Sequence, residues 1–200
     1  MIMGRIARTA LLYNGCYAHV FSRSISRQKI FQGEEDFLYF KSMLLAVKEK
    51  ARFLVHHYCL MQTHFHLAVT INEVSQFSTA LKELKRNYTY WFNEKYNHRG
   101  PLWRERFKSI LIEDERYLQA CGTYIEYNPI KAGIVSSVED WPYSSARFYL
   151  RNKNDNLVDG YERLSLPKDI DLTDDDSFIR GCGIGTGLFK RLLRDNVGLR

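Results

Sequence analysis

Apolar positions along the chain fall into two rhythms, one strand-like and one helix-like. The first apolar run, Cys16-Tyr-Ala-His-Val-Phe21, is short and rich in aromatic and β-branched residues, and it gives way to a polar stretch from Ser22 to Lys29. It predicts a strand. From Glu34 to Lys50 the residues Phe37, Phe40, Leu44 and Val47 recur at spacings of three and four, which lines one face of an α-helix. The acidic run Glu34-Glu35-Asp36 stands at its start, where the helix dipole favours negative charge. Two β-prone segments follow, Phe53 to Met61 and His64 to Ile71, separated only by Gln62 and Thr63. They read as antiparallel neighbours joined by a tight turn.

A second helical stripe runs from Glu73 to Tyr96, with Phe77, Leu81, Leu84, Tyr88 and Trp91 on one face. After the breaker Asn97-His-Arg-Gly-Pro101, the segment Arg106 to Glu113 suits a strand, and Glu115 to Tyr127 suits a third helix. Pro129 is expected to stop that helix, because it disfavours a helical residue before it and has no backbone N–H to donate. The order strand, helix, strand, strand, helix, strand, helix predicts an α+β protein. Its architecture is a ferredoxin-like split βαβ with a four-stranded antiparallel sheet and an extra C-terminal helix.

Beyond Tyr149 the pattern lapses, which divides the chain into a body of residues 1–149 and a loosely attached extension of residues 150–200 whose role the sequence leaves open. Arg151 to Asn156 is polar, Asp171 to Asp176 is acidic, and Gly181 to Gly187 holds four glycines in seven residues. The glycine segment lacks the lysine of a nucleotide-binding loop and reads as a turn into a short helix from Leu188 to Leu193. No run of roughly 18 apolar residues is present, and Asn14, Gly15 and His19 break the stretch from Ala10 to Val20. A cytoplasmic protein is expected. The cysteines Cys16, Cys59, Cys121 and Cys182 form no CxxC pair, which suits reduced thiols. Net charge is +6, and the excess lies in residues 1–150, with 20 Lys/Arg against 14 Asp/Glu. Such a body favours polyanionic partners.

Candidate chemistry begins with His64 and His66. Residues two apart on a strand share a face, so both imidazoles point to one side while Phe65 and Leu67 point to the other. That makes half of a metal site, or simply a solvent-facing pair. On the third helix Tyr117, Cys121, Tyr124 and Asn128 share a stripe. If it packs on the histidine face, Asn128 offers an amide oxygen as a third ligand and Tyr124 an oxygen one turn away. The competing readings are a core aromatic for Tyr124 and a helix-terminal cap for Asn128.

Cys59-Leu-Met-Gln-Thr-His-Phe-His-Leu67 followed by Tyr124-Ile-Glu-Tyr-Asn-Pro-Ile-Lys-Ala-Gly133 resembles the single-tyrosine HUH transposases, and most closely their REP-associated branch. Trp103-Arg-Glu-Arg-Phe107 and Asp140-Trp-Pro-Tyr-Ser-Ser145 extend the resemblance over about residues 13 to 149. The resemblance implies a catalytic domain in residues 1–149 that cleaves and rejoins single-stranded DNA through a 5′-phosphotyrosine. It makes Tyr124 the nucleophile, with His64, His66 and Asn128 as ligands of a divalent metal, Mg²⁺ or Mn²⁺. Tyr127 adjoins Asn128 and faces elsewhere. Gln62-Thr63 departs from the Pro-Asn or Pro-Glu common before the first histidine, which touches the turn rather than the ligands. The implied substrate is hairpin-forming repetitive DNA with a flanking single strand. Arg86, Arg104 and Arg106 are candidate backbone contacts within a basic, aromatic-rich stretch. The rival readings are a non-catalytic hairpin DNA- or RNA-binding module and a metal-dependent hydrolase with an incidental tyrosine. Monomer and homodimer both remain open.

Overall fold

The structure, a computed structural model, describes residues 12–160. Four strands alternate with helices in the expected order: β1 (Cys16–Arg23), α1 (Glu34–Ala51), β2 (Leu54–Met61), β3 (His64–Ile71), α2 (Val74–Lys95), β4 (Lys108–Ile112) and α3 (Glu115–Lys131). A short α4 (Ala146–Arg151) follows. The sheet is antiparallel with strand order β2-β3-β1-β4, the interleaving that a split βαβ topology produces. The hairpin between β2 and β3 closes with Met61 opposite His64. Its two turn residues are held from outside, since Gln62 O accepts from the Ile30 N–H (2.8 Å) and Thr63 O from the Ser24 N–H (2.8 Å). External support replaces the Asn-Gly chemistry that a free-standing two-residue turn prefers.

Strand alternation sends Phe65, Leu67, Val69 and Ile71 to one face, and all are buried. There α1, α2 and the segment before β4 supply an aromatic core in which Phe40 and Trp103 lie 5.3 and 5.6 Å from the Phe65 ring and Tyr88 meets Phe40 edge-on. Burying each such aromatic contributes about 1.5–3 kcal/mol. The start of α1 is pinned by the fully buried Asp36 carboxylate, which accepts from the backbone N–H groups of Gln32 and Gly33, from Lys95 at the end of α2 and from Tyr96 just after it. The opposite face of the sheet, with His19, His64 and His66, is covered by α3.

Three expectations change. α3 runs to Lys131 with Pro129 inside it, so the helix does not stop at Tyr127. The ring removes the N–H that the Ile125 carbonyl would accept, and Asn128 Nδ2 replaces it, donating to Ile125 O at 3.2 Å and to Tyr124 O at 3.0 Å. The α1 stripe drifts from Val47, half-buried, to Lys48, whose ammonium reaches Leu157 O and Asp159. The chain past Tyr149, read as loosely attached, is held to the body as far as Asp159. The Asp155 carboxylate accepts from Tyr58 OH (2.7 Å), and Asp159 N donates to Val55 O (2.7 Å). With Leu60 N donating to Tyr143 O and Ser145 N to Tyr58 O, the outer edge of β2 is sealed.

Cys16 and Cys59 are buried free thiols, and Cys121 is buried as well. Among the described residues no helix is long and apolar enough to cross a membrane. Cys182, the acidic run, the glycine segment and the helix expected at 188–193 lie outside the described residues.

Candidate active site

Alternation along β3 places His64 and His66 together under α3, with ring centroids 5.1 Å apart and planes at 88°. Each imidazole has its Nδ1 engaged by a neighbour. His64 Nδ1 lies 2.9 Å from Thr63 Oγ1, and His66 Nδ1 lies 2.9 Å from Nε2 of His19. His66 Nε2 is buried and has no hydrogen-bond partner among the described residues, the position from which a ligand is taken.

α3 brings the rest. Tyr124, 5% exposed, meets the His66 ring edge-on at 6.1 Å and the His19 ring at 6.2 Å. The Lys131 ammonium, two turns on, lies 5.7 Å from the Tyr124 ring centroid. Asn128 is buried on the same stripe. Because its Nδ2 is spent on the helix backbone, Oδ1 is the atom that the amide can turn outward. Tyr127 is only half-buried. The helix approaches the sheet closely because residue 122 is glycine: a Cβ there would fall within the His57 imidazole. That ring bonds Glu126 Oε1 (2.8 Å), which also accepts from Ser145 Oγ (2.7 Å), and Tyr149 stacks on it at 4.7 Å. α3 is thus clamped to β2 and α4 of its own chain.

Burial, with the charge of Arg23 added, pushes the His64 imidazole down to about 4. Burial, followed by His19, His64, Arg23 and Lys131, holds His66 well below its ordinary value. Both are neutral near pH 7, the form that offers a lone pair to a metal. Among the described residues no three His, Cys, Asp or Glu side chains gather into a metal-holding group. The neutral imidazoles of His64 and His66 and the amide oxygen of Asn128 are donor types that fit a divalent cation keeping open positions.

The structure brings His64, His66, Tyr124 and Asn128 to one face of the sheet. Arg104 and Arg106 are exposed on the loop before β4. Arg104 N donates to Arg23 O (3.0 Å), and Arg23 stands opposite His64 in the register, so this loop borders the histidine end of the sheet. Arg86 is exposed on α2, where its Nε donates to Asn87, and it does not join that face. Sequence reasoning passed over His19, Arg23, Thr63 and Lys131. His19 and Arg23 carry the right alternation on β1, but only the strand register sets them beside β3.

Residues 12–128 match the family described as Transposase IS200 like. A Haemophilus influenzae protein, provisionally named a REP-associated tyrosine transposase, is 36% identical over 98 residues, covering 44% of this chain and 55% of that protein. The REP-associated tyrosine transposase of Escherichia coli is 28% identical over 103 residues, covering 51% of this chain and 59% of that protein. The chain thus spans little more than half the length of these curated relatives. A solved REP-associated tyrosine transposase bound to a REP hairpin shares the fold, with a TM-score of 0.60 at 20% identity over 81% of this chain and 99% of that one.

Proposed function

Because this chain belongs to the family of IS200-like transposases, we propose that it cuts and rejoins single-stranded DNA through Tyr124, acting on hairpin-forming repetitive elements. The observation that carries this reading is the juxtaposition of Tyr124 with the His66 and His19 rings, on the stripe that also presents Asn128. The names of the relatives and the hairpin held by the structural neighbour support the choice of substrate.

Tyr124 Oη attacks the scissile phosphorus and loses its proton. The bond from phosphorus to the 3′ oxygen breaks, that oxygen leaves as a 3′-hydroxyl, and the 5′-phosphate stays on the tyrosine. One phosphodiester is exchanged for another, so a later 3′-hydroxyl reverses the step without ATP. A phenol with an ordinary pKa of about 10 is a weak nucleophile at neutral pH. His64, His66 and Asn128 Oδ1 would hold Mg²⁺ or Mn²⁺, which supplies polarisation of the phosphate and offsets charge in the transition state. Arg23 and Lys131 add positive charge beside His66, and Lys131 also lies over the Tyr124 ring, so both draw the phosphate toward this site.

The test is denaturing electrophoresis with 5′- and 3′-labelled hairpin DNA from the flanking genome, with Mg²⁺, Mn²⁺ or chelator. A metal-dependent covalent adduct on the 3′-side fragment is expected with wild type and with Tyr127→Phe, and none with Tyr124→Phe. Binding without any adduct would sink the proposal and favour a hairpin-binding module. An adduct that survives Tyr124→Phe would move the nucleophile elsewhere.

A further inference from the structure

We propose that His19 is a positioning residue of this site: its Nε2 accepts a hydrogen bond from His66 Nδ1–H and so keeps a lone pair on His66 Nε2, facing the metal position. The inference rests on reading His64, His66 and Asn128 as the ligands.

A neutral imidazole carries one N–H, and the contact between His19 Nε2 and His66 Nδ1, at 2.9 Å, holds one proton. With that proton on His66, its Nε2 is a lone pair. With the proton on His19, His66 Nε2 becomes an N–H and is useless as a ligand. The two outer nitrogens, His19 Nδ1 and His66 Nε2, are both buried without a partner among the described residues, so hydrogen bonding within them leaves the two arrangements balanced. A cation at His66 Nε2 selects the first. His19 has no room to swing aside, being fully buried, joined edge to edge to His66 with ring centroids 5.1 Å apart, and packed against Phe21 at 5.1 Å and Tyr124 at 6.2 Å. Thr63 Oγ1 stands at the Nδ1 of His64 in the same manner. Both histidines are therefore braced from behind. Outer partners of metal-ligating histidines are typically worth about 10–100-fold in affinity.

The experiment is Mn²⁺ titration of the full chain without DNA, followed by the loss of the free-ion electron paramagnetic resonance signal, for wild type, His19→Gln and His19→Phe. The glutamine oxygen reaches the Nε2 position and can accept from His66, whereas phenylalanine fills the space and cannot. The expected result is an affinity about 10–100-fold weaker for His19→Phe, largely restored in His19→Gln, with urea midpoints reported alongside. Equal affinities in all three proteins, or equal losses in both variants, would overturn the inference. A wild-type chain that binds no Mn²⁺ brings down the ligand assignment and this inference with it. Independently of any variant's folding, long-range ¹H–¹⁵N spectra of wild type in saturating Mg²⁺ must show His66 protonated at Nδ1. Protonation at Nε2 would overturn the inference whatever the variants do.

Discussion

Gly122→Ala sets two physical effects against each other, and the structure decides between them. In a solvent-facing helix the change stabilises by about 1 kcal/mol, because alanine loses less backbone entropy. Here the new methyl would fall among the Nε2, Cδ2 and Cε1 atoms of His57, far inside the ~3.5–4.0 Å at which carbon atoms attract. Relief requires α3 to lift or His57 to move. Overpacking of this kind costs about 1–3 kcal/mol. Moving the imidazole also breaks its buried bond to Glu126, worth about 1–3 kcal/mol when a group is left unpaired. Less the propensity gain, the net loss is about 1–5 kcal/mol. Urea unfolding followed by tryptophan fluorescence measures it. His57→Ala in the same chain makes room for the methyl, so the double variant should lose at least ~1 kcal/mol less than the sum of the single changes. A Gly122→Ala protein as stable as wild type, or strict additivity with His57→Ala, would refute the close-packed account of α3.

Lys85 carries a pH signature: burial pulls its ammonium down to about 8, against the pull of Glu105. Since the unfolded side chain titrates near 10.4, the unfolded chain binds more protons between those values, and stability should rise with pH there by up to ~1.4 kcal/mol per unit. Urea midpoints of wild type and Lys85→Met at pH 7.5 and 9.5 check this, and parallel changes in the two proteins would contradict it. Asp36→Asn should cost about 2–4 kcal/mol in the same assay, since the buried carboxylate serves Gln32, Gly33, Lys95 and Tyr96 at once. Arg104→Ala and Arg106→Ala should each lower the slope of log affinity against log salt for hairpin DNA by about one, as a lost phosphate contact does. Arg86→Ala, off the histidine face, should leave that slope nearly unchanged.

The sequence made visible what depends on periodicity. Phe37, Phe40 and Leu44, and Phe77, Leu81, Leu84 and Tyr88, are buried as their spacing required, and the alternation of His64 with Phe65 and His66 with Leu67 set the chemistry apart from the core. What depends on contacts between distant segments was not visible. Pro129 signals a helix end by local rules, and only the Asn128 side chain, folded back onto Ile125 O, lets the helix continue. His19 lies 47 residues from the histidine that it touches, and a lone histidine in a strand gives no sign of its partner. Likewise Asp155 and Asp159 look like loop polarity until Tyr58, Val55 and Lys48 are found opposite them.

The sealed edge of β2 has a consequence for how the protein is made. β2 can pair with β3, and β3 with β1, as soon as residue 71 has left the ribosome, but the groups that cover the outer side of β2 lie at residues 143–159. At translation rates of about 5–20 residues per second, the intervening stretch of roughly 90 residues keeps a hydrogen-bonding, mostly apolar strand edge uncovered for roughly 5–20 s. A nascent chain stalled in that interval is the species most exposed to pairing with its neighbours on a polysome. Slow codons placed between residues 71 and 143 should therefore lower soluble yield more than the same codons placed after residue 160.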